Sequence, residues 1–214
     1  MARTKTTCCS ILLTLFSCGN LLAQDFYPKE NGTHEFAFKI NSSLPEFRLT
    51  FYFFFDSLGN SVGPSRIEIR RADKQRILQK IKTPIIVTSF RLEDMNFDGY
   101  LDLLLAEGTR GTGGSLYDVW FYQPRTDQFK YDPQFKEIFS PDPNPKTKEI
   151  TSYYSGGLDY KSVQTFHFEN NKLILLREVE SKYNEALKAF IQTTTNYKFK
   201  KIVSVKKDTL KLDQ

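Results

Sequence analysis

Beyond position 18 the sequence has no cysteine: Cys8, Cys9 and Cys18 are all three. A chain processed after that point carries no disulfide, so its fold must rest on a hydrophobic core or on a metal. Histidine is nearly as scarce. His34 and His167 are the only two, and neither sits in a metal-type or nucleophile-type spacing. Zinc clusters, cysteine nucleophiles and histidine-based triads are therefore not expected. No apolar run reaches the roughly 20 residues of a membrane-spanning helix. Helical periodicity is rare, and the basic excess (+5 in all) comes with no nucleic-acid motif.

What the N-terminus does have is the pattern of an export signal. Arg3 and Lys5 precede a short apolar stretch at residues 11–16, extended by Leu21, Leu22 and Ala23, with no acidic residue before Asp25. Two processing routes stay open. Cleavage near Ala23-Gln24 makes residues 1–24 a signal peptide and leaves a soluble product of about 190 residues, 25–214. Alternatively, Leu15-Phe16-Ser17-Cys18 resembles a bacterial lipobox, which would put a lipid on Cys18 and tie the protein to the outer membrane. Either way the product is periplasmic or secreted. It is long enough for one domain with a real core.

Alternation of period two dominates the rest. Residues 35–40 and 65–70 alternate, FRLTFYFFFD at 47–56 is an aromatic strand, and 164–168 and 173–180 read as two strands of a hairpin. Further strands are expected at 85–92, 100–106, 118–122 and 197–205. Glu169-Asn170-Asn171-Lys172 reads as a hairpin turn. Residues 181–190 (SKYNEALKAF) fit either a helix or two strands about a turn at Asn184-Glu185, and the hairpin is preferred. Residues 140–145 (SPDPNP) read as a rigid extended loop. The expected class is all-β, mainly antiparallel: a small propeller-like β-domain. Alternating lysines at 198, 200, 201, 206, 207 and 211 read as a solvated strand face.

One stretch carries distinctive chemistry: Asp94-Met95-Asn96-Phe97-Asp98-Gly99-Tyr100-Leu101-Asp102. Oxygen-bearing side chains at every second position, then glycine, then a further Asp follow the first nine positions of an EF-hand loop. Position twelve is Leu105 where an EF-hand needs glutamate, and the segment leads into a buried strand rather than a helix. A calcium ion (Ca2+) would take side-chain oxygens from Asp94, Asn96 and Asp98 and the carbonyl of Tyr100, with Asp102 closing the site directly or through water. Such an ion would be structural, pinning the loop between two core strands. The alternative is an Asx-rich turn with no metal.

Two further loops are candidates for recognition. Gly108-Thr109-Arg110-Gly111-Thr112-Gly113-Gly114-Ser115 lacks the Lys-Ser/Thr ending of a phosphate loop and precedes a strand, so nucleotide binding is not expected. It is either a turn or a recognition loop. Ser155-Gly156-Gly157-Leu158-Asp159-Tyr160 is either an ordinary hairpin turn or a loop able to enter a partner's cleft, with Ser155 and backbone amides meeting carboxylates and Tyr160 filling a subsite. Carboxylates are plentiful, but nothing singles out a catalytic pair, so the protein is not expected to be an enzyme.

The acidic loop resembles the calcium loop of FG-GAP and VCBS propeller repeats. Its order with the glycine-rich turn, Trp120-Phe121-Tyr122, residues 129–139, Ser155-Gly156-Gly157 and residues 171–178 resembles a family of exported, calcium-binding, propeller-like bacterial proteins. That family includes immunity proteins paired with peptidoglycan-cleaving toxins of type IV secretion systems, and it is similar in turn to periplasmic lysozyme inhibitors. The resemblance covers about residues 85–180. It implies an exported inhibitor that plugs the cleft of a lysozyme-type glycosidase, with Ser155, Gly156, Gly157 and Tyr160 at the contact. A second expectation is a surface module that binds envelope glycan or protein. Neither involves nucleic acid, and a membrane enters only through a lipid on Cys18.

Overall fold

Asp102-Leu103-Leu104-Leu105-Ala106 has no polar alternation because both of its faces are covered. Leu103 and Leu105 point into one hydrophobic cluster, and Leu104 and Ala106 into another on the opposite side. The computed structural model describes residues 32–74, 76–83, 87–109 and 113–211, and among these the fold is all-β. The expected signal peptide and Cys18 lie outside the described residues.

Among the described residues, fourteen strands form three antiparallel sheets, each a meander in sequence order. Sheet 1 contains β1 (Thr33–Phe38), β2 (Phe47–Phe55), β3 (Ser61–Arg71) and β4 (Ile77–Lys82). Sheet 2 contains β5 (Ser89–Glu93), β6 (Asp102–Thr109), β7 (Ser115–Gln123) and β8 (Gln128–Asp132). Sheet 3 contains β9 (Asp142–Asn144), β10 (Glu149–Ser155), β11 (Tyr160–Glu169), β12 (Lys172–Asn184), β13 (Ala189–Lys198) and β14 (Lys201–Lys211). None of the sheets closes into a barrel.

The clusters show that the sheets are stacked, with sheet 2 in the middle. Phe36, Phe47, Leu49, Phe51, Ile67 and Ile69 of sheet 1 meet the Leu103 face of β6, with Tyr122 and Phe129. Ile150, Phe166 and Phe168 of sheet 3 meet the Leu104 face, with Val119 and Phe121. Each fully buried leucine contributes roughly 1.5–3 kcal/mol by leaving water. Beyond this second core, sheet 3 overhangs: β13 buries only Ala189, and the described side chains of β14 bury none.

Several expectations shift. The hairpin at 181–190 forms, with β12 and β13 joined by a turn at 185–188. Residues 197–205 are not one strand. A turn at Phe199 and Lys200 divides them between β13 and β14, with Tyr197 opposite Ile202. The supposed loop at 140–145 contains β9, which pairs with the edge of β10. The strand expected at 85–92 begins at Ser89, and residues 84–86 lie outside the described residues.

Candidate functional site

The acidic loop joins β5 to β6. Its polar and apolar residues alternate because the loop lies over both cores. Met95 is fully buried in the second cluster and Phe97 packs against it, while Tyr100 packs on the first, its ring 5.5 Å from that of Tyr122. Two bends make this route possible: Phe97 and Gly99 both have left-handed backbone, at φ 60° and 87°. The connection between β1 and β2 holds the loop from outside. Asn41 Nδ2 donates to the Gly99 carbonyl at 2.7 Å, and the Leu101 N–H donates to the Ile40 carbonyl at 2.9 Å.

The oxygens of the loop point inward onto its own amides. Asp94 Oδ1 accepts from Asp98 N at 3.1 Å and its Oδ2 from Gly99 N at 2.9 Å. Asn96 Oδ1 also accepts from Asp98 N, and Asp98 Oδ1 from Tyr100 N. Asp102 is completely buried, and its two oxygens accept from Met95 N and Tyr122 N, both at 2.9 Å. It therefore fastens the loop to β7. Burial pushes the Asp102 carboxyl up to about 8. The amides of Tyr122 and Met95 oppose that shift, and the charges of Asp98 and Asp94 add to it. Burial likewise raises Asp94, with Asp98 adding to the effect against the loop amides.

Asp94, Asn96, Asp98, the Tyr100 carbonyl and Asp102 are all hard oxygen donors, in the order a calcium loop uses them. Each carboxylate oxygen engaged by one N–H keeps a second lone pair for a cation. Their positions are nevertheless those of linked Asx turns. Among the described residues, no group of three or more His, Cys, Asp or Glu side chains is placed to hold a metal ion. The residues fit calcium in kind and order, and Asp102 serves the backbone first.

The other candidate loop lies at the far end of β6 from the acidic loop. Residues 156–159 connect β10 to β11, closed by Gly156 N donating to the Tyr160 carbonyl at 2.8 Å and by Ser155 Oγ donating to the Gly157 carbonyl at 3.2 Å. Gly157 turns the chain at φ 105°, where an L side chain is strained. The projecting residue is Leu158, 88% exposed. Tyr160 faces back onto the sheet: its hydroxyl donates to Glu180 Oε1 at 2.6 Å, and its ring lies 6.1 Å from that of Tyr154. That hydrogen bond to Glu180, with burial, pushes the Tyr160 hydroxyl up to about 12. Tyr160 thus forms one wall of a cleft of about 310 Å3, shared with Glu180, Lys182, Tyr183 and Ile191.

The described end of the glycine-rich loop packs behind Ser155. A Cβ on Gly113 would lie 2.8 Å from Tyr154 Cε2 and 3.4 Å from the Ser155 carbonyl, and one on Gly114 would lie 2.5 Å from Ser140 Oγ. Only glycine allows this approach, so the structure brings the two loops together. Arg110, Gly111 and Thr112 lie outside the described residues.

Sequence reading missed a cleft of about 730 Å3 beside the β7–β8 hairpin, lined by Trp120, Gln123, Arg125, Gln128, Lys130 and Tyr131 among others. The Trp120 and Tyr131 rings lie 5.4 Å apart there. They stand directly opposite in the β7–β8 register, a pairing that follows only once the turn between them is known.

No protein-family model matches the chain, and no curated protein does. Among solved structures, it is similar to a Xanthomonas type IV secretion system related protein, with a TM-score of 0.63 at 15% identity. The likeness covers 87% of this chain and 97% of that one, and what the two share is the fold.

Proposed function

We propose that the protein is an exported, calcium-stabilised binding protein that neutralises a peptidoglycan-cleaving glycosidase of the lysozyme type by occluding its cleft. The observation that carries this reading is the loop at residues 156–159, which presents Leu158 to solvent from a base fixed by Ser155, the packed glycines and the Tyr160–Glu180 hydrogen bond. A rigid projecting loop loses little conformational freedom on entering a concave site. The fold shared with a protein related to type IV secretion is compatible with an immunity-type role beside such a system. On this reading Leu158 makes the deepest contact, Ser155, Gly156 and Gly157 shape the loop, and Tyr160 braces it. Calcium would hold the acidic loop at the other end of β6, and the protein itself catalyses nothing.

The test is inhibition of a panel of lysozymes by the wild type, by Leu158→Asp, and by Ser155→Ala combined with Tyr160→Ala. Loss of inhibition in both variants, with the melting temperature of Leu158→Asp unchanged, supports the reading. Equal inhibition by all three proteins removes the loop from the mechanism. Inhibition of no lysozyme by the wild type removes the reading itself.

The Trp120–Tyr131 cleft favours a second reading, a module that binds envelope glycan. Neighbouring aromatic rings with amide and cationic side chains at their rim suit a sugar. Retention on insoluble peptidoglycan that is lost in Trp120→Ala, with no effect on any lysozyme, would select it.

A further inference from the structure

We propose that the β13–β14 hairpin docks onto an anionic phospholipid bilayer, with Phe199 entering the lipid and the surrounding lysines meeting the headgroup phosphates. This is independent of the inhibitor reading and uses the other end of sheet 3. The turn is the first observation. Phe199 and Lys200 have φ 49° and 63°, both left-handed, as a two-residue hairpin turn requires. The β11–β12 hairpin makes its turn from Asn170 and Asn171, at φ 51° and 58°, with the residue type that tolerates such backbone. A phenylalanine there is a strained choice, and strain at an exposed position points to a use.

Exposure is the second observation. Phe199 is 83% exposed, the most exposed aromatic side chain among the described residues. Ile202 and Val203 behind it are 61% and 59% exposed, and Val205 is exposed as well. Charge is the third. Residues 196–207 contain Lys198, Lys200, Lys201, Lys206 and Lys207 and no acidic residue. Lys206 pairs with Asp208 at 3.0 Å, and among the described residues the other four make no ion pair.

Edge protection explains lysines along β14, since they discourage pairing with a foreign strand. It does not explain an apical phenylalanine or three exposed aliphatic side chains. An apolar apex inside a collar of cations is the arrangement that binds a charged lipid interface. The apolar group enters the acyl boundary, and long lysine side chains reach back to phosphate. A fluid surface also needs no pocket shaped to receive the ring.

Register fixes the orientation. The row near the turn runs Thr151, Thr165, Arg177, Asn196 and Ser204, whereas the row beside the partner loop runs Ser155, Lys161, Ser181, Gln192 and Asp208. Phe199 and Leu158 therefore project from opposite ends of the sheet. A bilayer held at Phe199 leaves the Ser155 loop facing away from it.

The experiment is sedimentation of purified, non-acylated protein with vesicles of phosphatidylglycerol and phosphatidylethanolamine, and with vesicles of phosphatidylcholine alone. The proposal expects binding to the first only. Lys198→Glu, Lys200→Glu and Lys201→Glu together should lower partitioning by about a hundredfold or more. Phe199→Asn with Lys200→Gly installs the preferred turn, so it should melt no lower than wild type while binding falls about tenfold or more. Phe199→Trp should add a blue-shifted emission with anionic vesicles, above the contribution of Trp120. Equal binding to both vesicles, binding to neither, or unchanged binding by the Asn–Gly variant would overturn the proposal. Capture on an acidic protein without vesicle binding would overturn it too.

Discussion

The side-chain amide of Gln79 hydrogen-bonds the backbone of Phe129 in both directions at 2.7 Å: Nε2 donates to the carbonyl, and the Phe129 N–H donates to Oε1. One residue of β4 thus satisfies the open edge of β8, and sheet 1 is clasped to sheet 2 where a further strand would otherwise pair. Gln134 does the same between sheets 2 and 3. It donates to the Asn171 carbonyl at 3.0 Å and accepts from Leu173 N at 2.9 Å.

Gln79→Ala removes both bonds and leaves two backbone groups to water or to no partner. It should cost about 1–2 kcal/mol. Urea unfolding monitored by circular dichroism would read this as a lower midpoint at unchanged slope.

Asp127 is the charged counterpart of this clasp. Arg71 Nη1 donates to both its oxygens at 2.9 Å, Lys74 Nζ at 2.6 Å and Tyr122 Oη at 2.8 Å. Burial would raise its carboxyl, but the hydrogen bonds from Lys74 and Tyr122, with the charge of Arg71, hold it below the usual carboxylate range. The native state therefore releases this proton more readily than the unfolded chain. The stability it contributes is present above the ordinary aspartate value of about 3.9 and is lost as pH falls through the lower native value. Asp127→Asn keeps a residue suited to φ 57° but should cost about 2 kcal/mol at neutral pH. Melting curves between pH 2 and pH 7 should show the difference from wild type shrinking on the acid side.

For the acidic loop, calcium at one hundred times its dissociation constant would add about 2.7 kcal/mol. The melting temperature should rise with calcium, fall with chelator, and become indifferent to both in Asp98→Ala. Identical wild-type melts with calcium and with chelator would leave the loop as a set of Asx turns.

Gly114→Ala should be costly twice over, since φ is +91° and the new Cβ would sit 2.5 Å from Ser140 Oγ. A loss of about 2–3 kcal/mol is expected. Gly59→Ala is the control. It shares a left-handed φ of +82° but meets nothing within 4 Å, so it should lose only the backbone part, about 1 kcal/mol. Thermal melts of the two variants side by side separate crowding from strain.

Strands with one buried face were readable because their period survives in the sequence, as at residues 35–38 and 65–70. The run at 103–106 was readable as buried, and its position between two cores explains the missing alternation. The division at Phe199 and Lys200 was not readable as a turn, because neither residue carries turn chemistry. The acidic loop was readable by spacing as a run of oxygen-bearing side chains, and those side chains turn onto the loop's own amides. That Asp102 turns to Met95 N and Tyr122 N depends on β7, twenty residues away, and has no local signature. Tyr160 was expected to project, yet its neighbour Leu158 does so, because the partner that draws the tyrosine inward is Glu180 on β12. The glutamine clasps join residues fifty and thirty-nine positions apart and likewise leave no pattern to read.

Each strand hydrogen-bonds to the strands next to it along the chain, in all three sheets. That ordering has a kinetic consequence. Closing a hairpin costs little chain entropy, so each meander can zip from its own turns without waiting for a distant segment. Sheet 1 can therefore be complete before the strands of sheet 3 have paired. The steps that must wait are the stackings on either side of β6, so this strand, covered on both faces, loses its water only when all three sheets have come together.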